Sequence, residues 1–291
     1  MSAPHAHAGP DALAAFAPLL AAAAYLLLVA RRRALGRSWS PWRSSAFLTG
    51  CALLSLALGH VLPFGEGDFR GHMLQHLLIG MLAPLALVLA APFTLVLGVL
   101  PPHRGRRLTR LLRSRTARLI AHPVTALLLT LGGLVVLYCT PLYGLTTATP
   151  WAHHLVHAHF LASGYLFAWV IAGPDPAPHR PSVPSRLVVL GVAVAGHAVL
   201  SQLMYAGIVF IPGVPDAQRR GGAELMYYGG DIAELLLALA LLVTWRPAPG
   251  RSPHGAPGEP AAGPRLTRRW RRRAGSAPGW PAAAGRRPGR G

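Results

Sequence analysis

The chain has 291 residues, 52% hydrophobic and 13% charged, with a mean hydropathy of +0.40. Several apolar runs reach the ~20 residues that cross a bilayer core, which excludes a soluble domain and predicts an all-α polytopic membrane bundle. The formal net charge of +19 would suggest nucleic acid in a soluble chain, but the arginines stand in loops and tail while the spans are nearly uncharged, so membrane topology accounts for them.

Seven spans are expected, with the N-terminus outside and the C-terminus cytoplasmic. A short outer segment, 1–10, holds His5 and His7. The first span, 11–30, is preceded by no Lys or Arg and followed by Arg31, Arg32, Arg33, Arg37 and Arg43, the reverse of a cleavable signal peptide. A second span over 44–62 leads through FGEGDFRG, with Glu66 and Asp68, back to the outside. The third begins at His72 and ends near residue 100, with kinks expected at Pro84 and Pro92. The segment after it carries Arg104, Arg106, Arg107, Arg110, Arg113, Arg115 and Arg118, the strongest positive-inside signal in the chain. The fourth span, 119–138, emerges into a neutral loop, CTPLYGLTTATPW, and the fifth, 152–172, returns to DPAPHRPSVPSR. The sixth, 187–211, and the seventh, 225–244, are joined by PGVPDAQRRGGAE, whose Arg219 and Arg220 are the one exception to the arginine pattern.

Residues 11–246 therefore form the membrane domain. From 247 to 291 the sequence is Pro, Gly, Ala and Arg with almost no aliphatic residues, too little apolar surface to order itself. Its cluster RLTRRWRRR, 265–273, is expected on anionic lipid with Trp270 at the interface, rather than on nucleic acid. Cys51 and Cys139 cannot build a disulfide framework.

Two helix starts carry the chemistry. His72 and His76 stand four apart and share a helix face, and WAHHLVHAHF places His153, His154 and His157 at the start of the fifth span. On the expected topology both clusters lie at the same side and depth. Neutral imidazole is a good ligand for copper or zinc, and a pair at i,i+4 presents two nitrogens to one ion. Met73, Met204, Met226 and Cys139 add soft donors that select Cu(I), against the plainer reading of each Met as core filler. His159 points away from its neighbours and reads as structural, while His60 either joins the cluster or caps its helix. Deeper in the membrane, His197 in span six is expected near Asp231, with Glu234 alongside in span seven, since ionisable groups at that depth must face one another or a wet cavity. Such a pair either fastens two helices or relays an ion or proton; Gly229 and Gly230 would permit the close approach.

The blocks FRGHMLQHLLIGMLAPLALVLAAP, CTPLYG, HHLVHAHFLASGYLFAWVIAGPDPAP, GHAVLSQLMYAG and DAQRRGGAELMYYGGDIAEL, spread over 68–242, resemble in order and spacing the CtaG-like membrane proteins, assembly factors of caa-type cytochrome c oxidase. The resemblance implies a bacterial inner-membrane factor without catalytic turnover, whose partners are oxidase subunits and whose work is linked to copper delivery. His72, Met73 and His76 match the family's HMxxH block; His153, His157 and His159 fall in its histidine-rich block; His197, Met204, Asp216, Gln218 and Met226 match later ones. Arg219 and Arg220 depart from the Gln and Leu usual there, and the basic tail lies outside the pattern. A copper permease is the nearest rival. Histidine boxes of di-iron enzymes lie on the cytoplasmic side and come in threes, and a buried haem would need a histidine at the depth of His197.

Overall fold

The computed structural model describes residues 10–59, 63–65, 67–177 and 180–245. The chain divides into two units, Met1–Arg246 and Pro247–Gly291. The second unit, with the basic cluster expected on lipid, lies outside the described residues, as do His5, His7, His60 and Glu66.

The described residues are helical throughout, without strands: α1 (Pro10–Ala34), α2 (Pro41–Leu58), α3 (Phe69–Leu77), a π-helical stretch (Leu78–Leu82), α4 (Ala83–Leu89), α5 (Pro92–Val99), α6 (Pro102–Leu112), α7 (Arg115–Ile120), α8 (Pro123–Cys139), α9 (Leu142–Ala148), α10 (Pro150–Ala172), α11 (Val183–Tyr205) and α12 (Asp216–Thr244). Four helices are long and apolar enough to cross a membrane: Phe69–Leu89, α10, α11 and α12. Helices α8 and α9, bent by 78° at a short break, make a candidate fifth. The first two expected spans fall on α1 and α2, which stand outside that set; α2 has 18 residues, and Arg43, Ser44, Ser45, Thr49 and Ser55 are among them.

Proline sets where these helices break. Pro84 has no N–H for the carbonyl of Gly80, and the backbone there widens into the π-helical stretch, with Ala83 N–H donating to Leu78 five residues back. The third span does not run on to residue 100 as expected but ends at Leu89. Pro92 disfavours the helical conformation in the residue before it, and Ala91 turns left-handed at φ 52°, so α5 starts afresh. The neutral loop expected after span four is largely α9, and the outer loop before span seven is mostly the first turns of α12. The arginine-rich segment is also helical: α6 sets Leu108, Leu111 and Leu112 among its arginines, the pattern of a helix lying on a surface.

Glycine brings the spans together. A Cβ on Gly164 of α10 would lie 1.9 Å from the carbonyl oxygen of Gly80, so the two backbones touch through the π-helical stretch. On α12, Gly222 lies against Phe69 and Gly229 against Leu77, which seats α12 on α3.

At one end of the bundle the carboxylate of Asp175, 1% exposed, accepts from Phe93 N (3.0 Å), Thr94 N (2.8 Å) and the Thr94 hydroxyl (2.5 Å), capping the start of α5. Nearby the Tyr25 hydroxyl donates to the carbonyl of Ala90 and accepts from Trp39 Nε1, both at 3.1 Å. The break at Ala91 is thus held from two sides.

Replacing Gly164 with Ala should force α10 off the π-helical stretch. Unfolding in detergent, followed by circular dichroism, is expected to show a loss of about 1–3 kcal/mol, the usual cost of overpacking.

Candidate functional site

The site lies where α3 and α10 begin. Asp68 caps α3: its carboxylate accepts from the Arg70 amide at 2.8 Å and from the Arg70 guanidinium at 2.6 Å. That guanidinium, first among the causes, holds the Asp68 carboxyl below its ordinary range. Phe69, fully buried, donates its amide to Gln218 Oε1 on α12 at 3.2 Å, fixing the rotation of α3 in its first turn. His72 and His76 then fall on one face, with ring centroids 4.4 Å apart. Pro150 starts α10, and His153 and His157 repeat the arrangement at 4.1 Å.

The two pairs face each other. His72 stands 6.4 Å from His153, and His76 stands 6.2 Å from His157, so four imidazoles mark the corners of a quadrilateral between two helices. Two imidazoles sharing one ion have centroids about 5 Å apart at a tetrahedral angle and about 6 Å apart when opposed, given metal–nitrogen distances of about 2.0–2.1 Å. The pairs within a helix are slightly closer than that window and the pairs across helices sit at its upper edge. Among the described residues no three of His, Cys, Asp and Glu converge on a point as they stand. Yet His72 Nε2 and both ring nitrogens of His76 are buried with no hydrogen-bond partner among the described residues, the condition of a ligand rather than of a packing group. The chemistry of the donors fits a borderline or soft ion.

Aromatic side chains enclose it. Phe160 covers His76 at 4.3 Å, Tyr143 meets the edge of His72 at 5.1 Å, and Tyr138 lies 6.0 Å from His76. The Tyr138 hydroxyl donates to Met73 Sδ at 3.4 Å. Met73, Met204 and Met226 are all buried in the same core cluster as Phe69, Tyr138 and Phe160. Burial in that core agrees with the plainer reading of each Met as core filler, and among the described residues only Met73 of the three has a polar contact beside the histidines. Cys139, the last residue of α8, is exposed; the inward position belongs to Tyr138, one residue earlier. His154 lies beside His153, at 6.1 Å, on the next face of α10. His159 has its Nε2 3.1 Å from the Leu129 carbonyl on α8.

Tyr138 and Tyr143 were not among the expected site residues; Tyr143 lies within CTPLYG and Tyr138 immediately precedes it. Arg219 was also missed. It is 5% exposed and donates to the carbonyls of Met204 and Tyr205, at 3.0 Å for the latter, while pairing with Asp216 at 2.9 Å. Its charge satisfies the end of α11, which Gly207 terminates at φ 79°, a local use that accounts for Arg219 but not for Arg220.

In the deeper group Glu234 is the nearer acid, while the charge of Asp231 also acts on His197. His197 Nδ1 lies 3.7 Å from Glu234 Oε1, whereas the expected neighbour was Asp231. Gly230 is the reason: it lies flat against the His197 ring, where a Cβ would come within 2.1 Å, and the next residue on that face is Glu234, four on, with Asp231 turned about 100° away.

Fold and site together define an all-helical membrane protein with a histidine-lined end. Residues 23–248 match the family model of the cytochrome c oxidase caa3 assembly factor, and the chain belongs to that family. It is 38% identical over 196 residues to uncharacterized proteins of Mycobacterium bovis and Mycobacterium tuberculosis, covering 65% of this chain and 30% of each relative. An uncharacterized protein of Mycobacterium leprae is 29% identical over 255 residues, covering 81% of this chain and 39% of the relative. The chain thus spans about a third of the length of these curated relatives. No solved structure matches it.

Removing Arg219 leaves two buried carbonyls without their donor. Arg219→Ala should lower stability in detergent by about 1–3 kcal/mol, and Arg219→Gln, which keeps an amide donor, by less; denaturation of the two variants side by side reads the difference.

Proposed function

We propose that the protein is a bacterial inner-membrane factor for cytochrome c oxidase assembly that holds copper at the His72/His76 and His153/His157 quadrilateral for an oxidase subunit, without catalytic turnover. Family membership supports the assembly role. The observation that carries the metal role is the facing of two i,i+4 histidine pairs with buried ring nitrogens of His72 and His76 aimed at no partner among the described residues. His72, His76, His153 and His157 would bind, His154 would stand by at the rim, and the thioethers of Met73, Met204 and Met226 would favour the cuprous state. Bound copper would supply the ion that the oxidase needs for its own centres. Tyr138 holds the Met73 sulfur in place, and Phe160 and Tyr143 keep water off the imidazoles.

In this reading seven helices span, α1 and α2 included, with the N-terminus and the histidines outside. The arginines of α6 and α7 lie on the cytoplasmic face, and the basic tail rests on anionic lipid.

The detergent-purified protein, loaded with Cu(I), should retain near-stoichiometric copper. His72→Ala/His76→Ala should lose the equivalent held at the quadrilateral, together with oxidase activity in the matching cells. Copper unchanged in that variant contradicts the site; oxidase lost with no copper bound to either protein makes the role a metal-free scaffold. For orientation, a membrane-impermeant maleimide applied to intact cells should label the exposed Cys139 and spare the buried Cys51. Labelling of Cys139 only after lysis reverses the topology.

A further inference from the structure

A cavity of about 70 Å³ begins at Met73, His76 and Tyr138 and is lined further in by Met81, His197 and Glu234. Its wall on α12 runs from Met226 to Leu237, roughly 16 Å along the axis at 1.5 Å per residue. The space is otherwise apolar, and no arginine is among its lining residues. Glu234, 5% exposed, faces it with Oε2 buried and without a hydrogen-bond partner among the described residues. Its other oxygen is 3.7 Å from His197 Nδ1, beyond hydrogen-bond length. A pair that merely fastened two helices would close that distance, because a buried carboxylate is costly unless its oxygens are satisfied. Gly230 keeps the imidazole pressed against α12, so the gap is part of the packing.

We propose that His197 and Glu234 form a second cation site, for a soft monovalent ion of the Cu(I) class, inside the membrane-spanning bundle. One positive charge neutralises one carboxylate, whereas a divalent ion would leave net charge in an apolar interior. The imidazole of His197 is a neutral donor that suits Cu(I), and Met81 also lines the cavity, whereas Met226 stands eight residues, about 12 Å, along α12 from Glu234. Most of the lining side chains are apolar, which disfavours strongly hydrated hard cations. His76 and Met73 border both this cavity and the histidine quadrilateral, which gives the ion a continuous route between the two sites.

The inference takes the identity of the ion from the copper reading but not its location, and the two fail separately. Copper bound by full-length protein is titrated against a Cu(I) chelator for wild type, Glu234→Gln, His197→Gln and His72→Ala/His76→Ala. The proposal expects Glu234→Gln to lose one equivalent relative to wild type while the outer double variant keeps it, and His197→Gln to weaken the same equivalent by about ten- to a hundredfold. Glu234→Gln and His197→Gln proteins that both keep all of the wild-type copper overturn it, leaving Glu234 as a protonated acid in place. Copper unchanged in the outer double variant but reduced in Glu234→Gln overturns the quadrilateral instead and leaves the deep site standing.

Discussion

The structure depends on the contact between the carbonyl of Gly80 and the bare Cα of Gly164. Pro84 cannot supply the amide that an α-helix would give to Gly80, so the third span widens into a π-helical stretch one turn beyond His76. Gly164 fits against it because it has no Cβ, and α10 comes close enough to fix its axial position on the third span. Seven residues back along α10 lies His157, and four residues back along the third span lies His76. Their 6.2 Å approach follows from the register that the glycine contact sets.

Polar groups at the two ends of the bundle each complete a helix terminus. Arg219 closes the end of α11, Asp175 opens α5, and Arg186 donates to the carbonyl of Ile171 at 2.8 Å near the end of α10. Each charge therefore satisfies backbone groups that an apolar surrounding would otherwise leave unpaired. Against that background His72 Nε2, both ring nitrogens of His76 and the second oxygen of Glu234 stand out: they are buried, and among the described residues no hydrogen bond uses them. Both chemical readings grow from that contrast.

The histidine pairs were legible in the sequence because spacing alone decides which residues share a helix face, and arginine density decided the sidedness that put both pairs at one end. Less legible were features fixed by packing. Nothing in the spacing of 231 and 234 says which acid meets His197; the glycine at 230 does, once α11 is known to lie on it. Tyr138 points inward and Cys139 outward because α8 ends and the chain bends by 78° into α9, a turn that a neutral loop does not announce. Pro92 was read as a kink, but a kink and a full break differ only in whether the preceding residue can leave the helical region, which Ala91 does at φ 52°. At Arg219 the arginine count included a residue whose charge is spent on the carbonyls that end α11.

The central claim is that imidazoles from α3 and α10 meet on one copper ion. Copper K-edge X-ray absorption of the Cu(I)-loaded, full-length protein tests it most directly, because imidazole rings give a multiple-scattering pattern that thioethers do not. The account predicts that pattern for at least two imidazoles per copper, reduced when either helix's histidine pair is replaced. A shell made of sulfur alone, or one untouched by replacing the α10 pair, would contradict it.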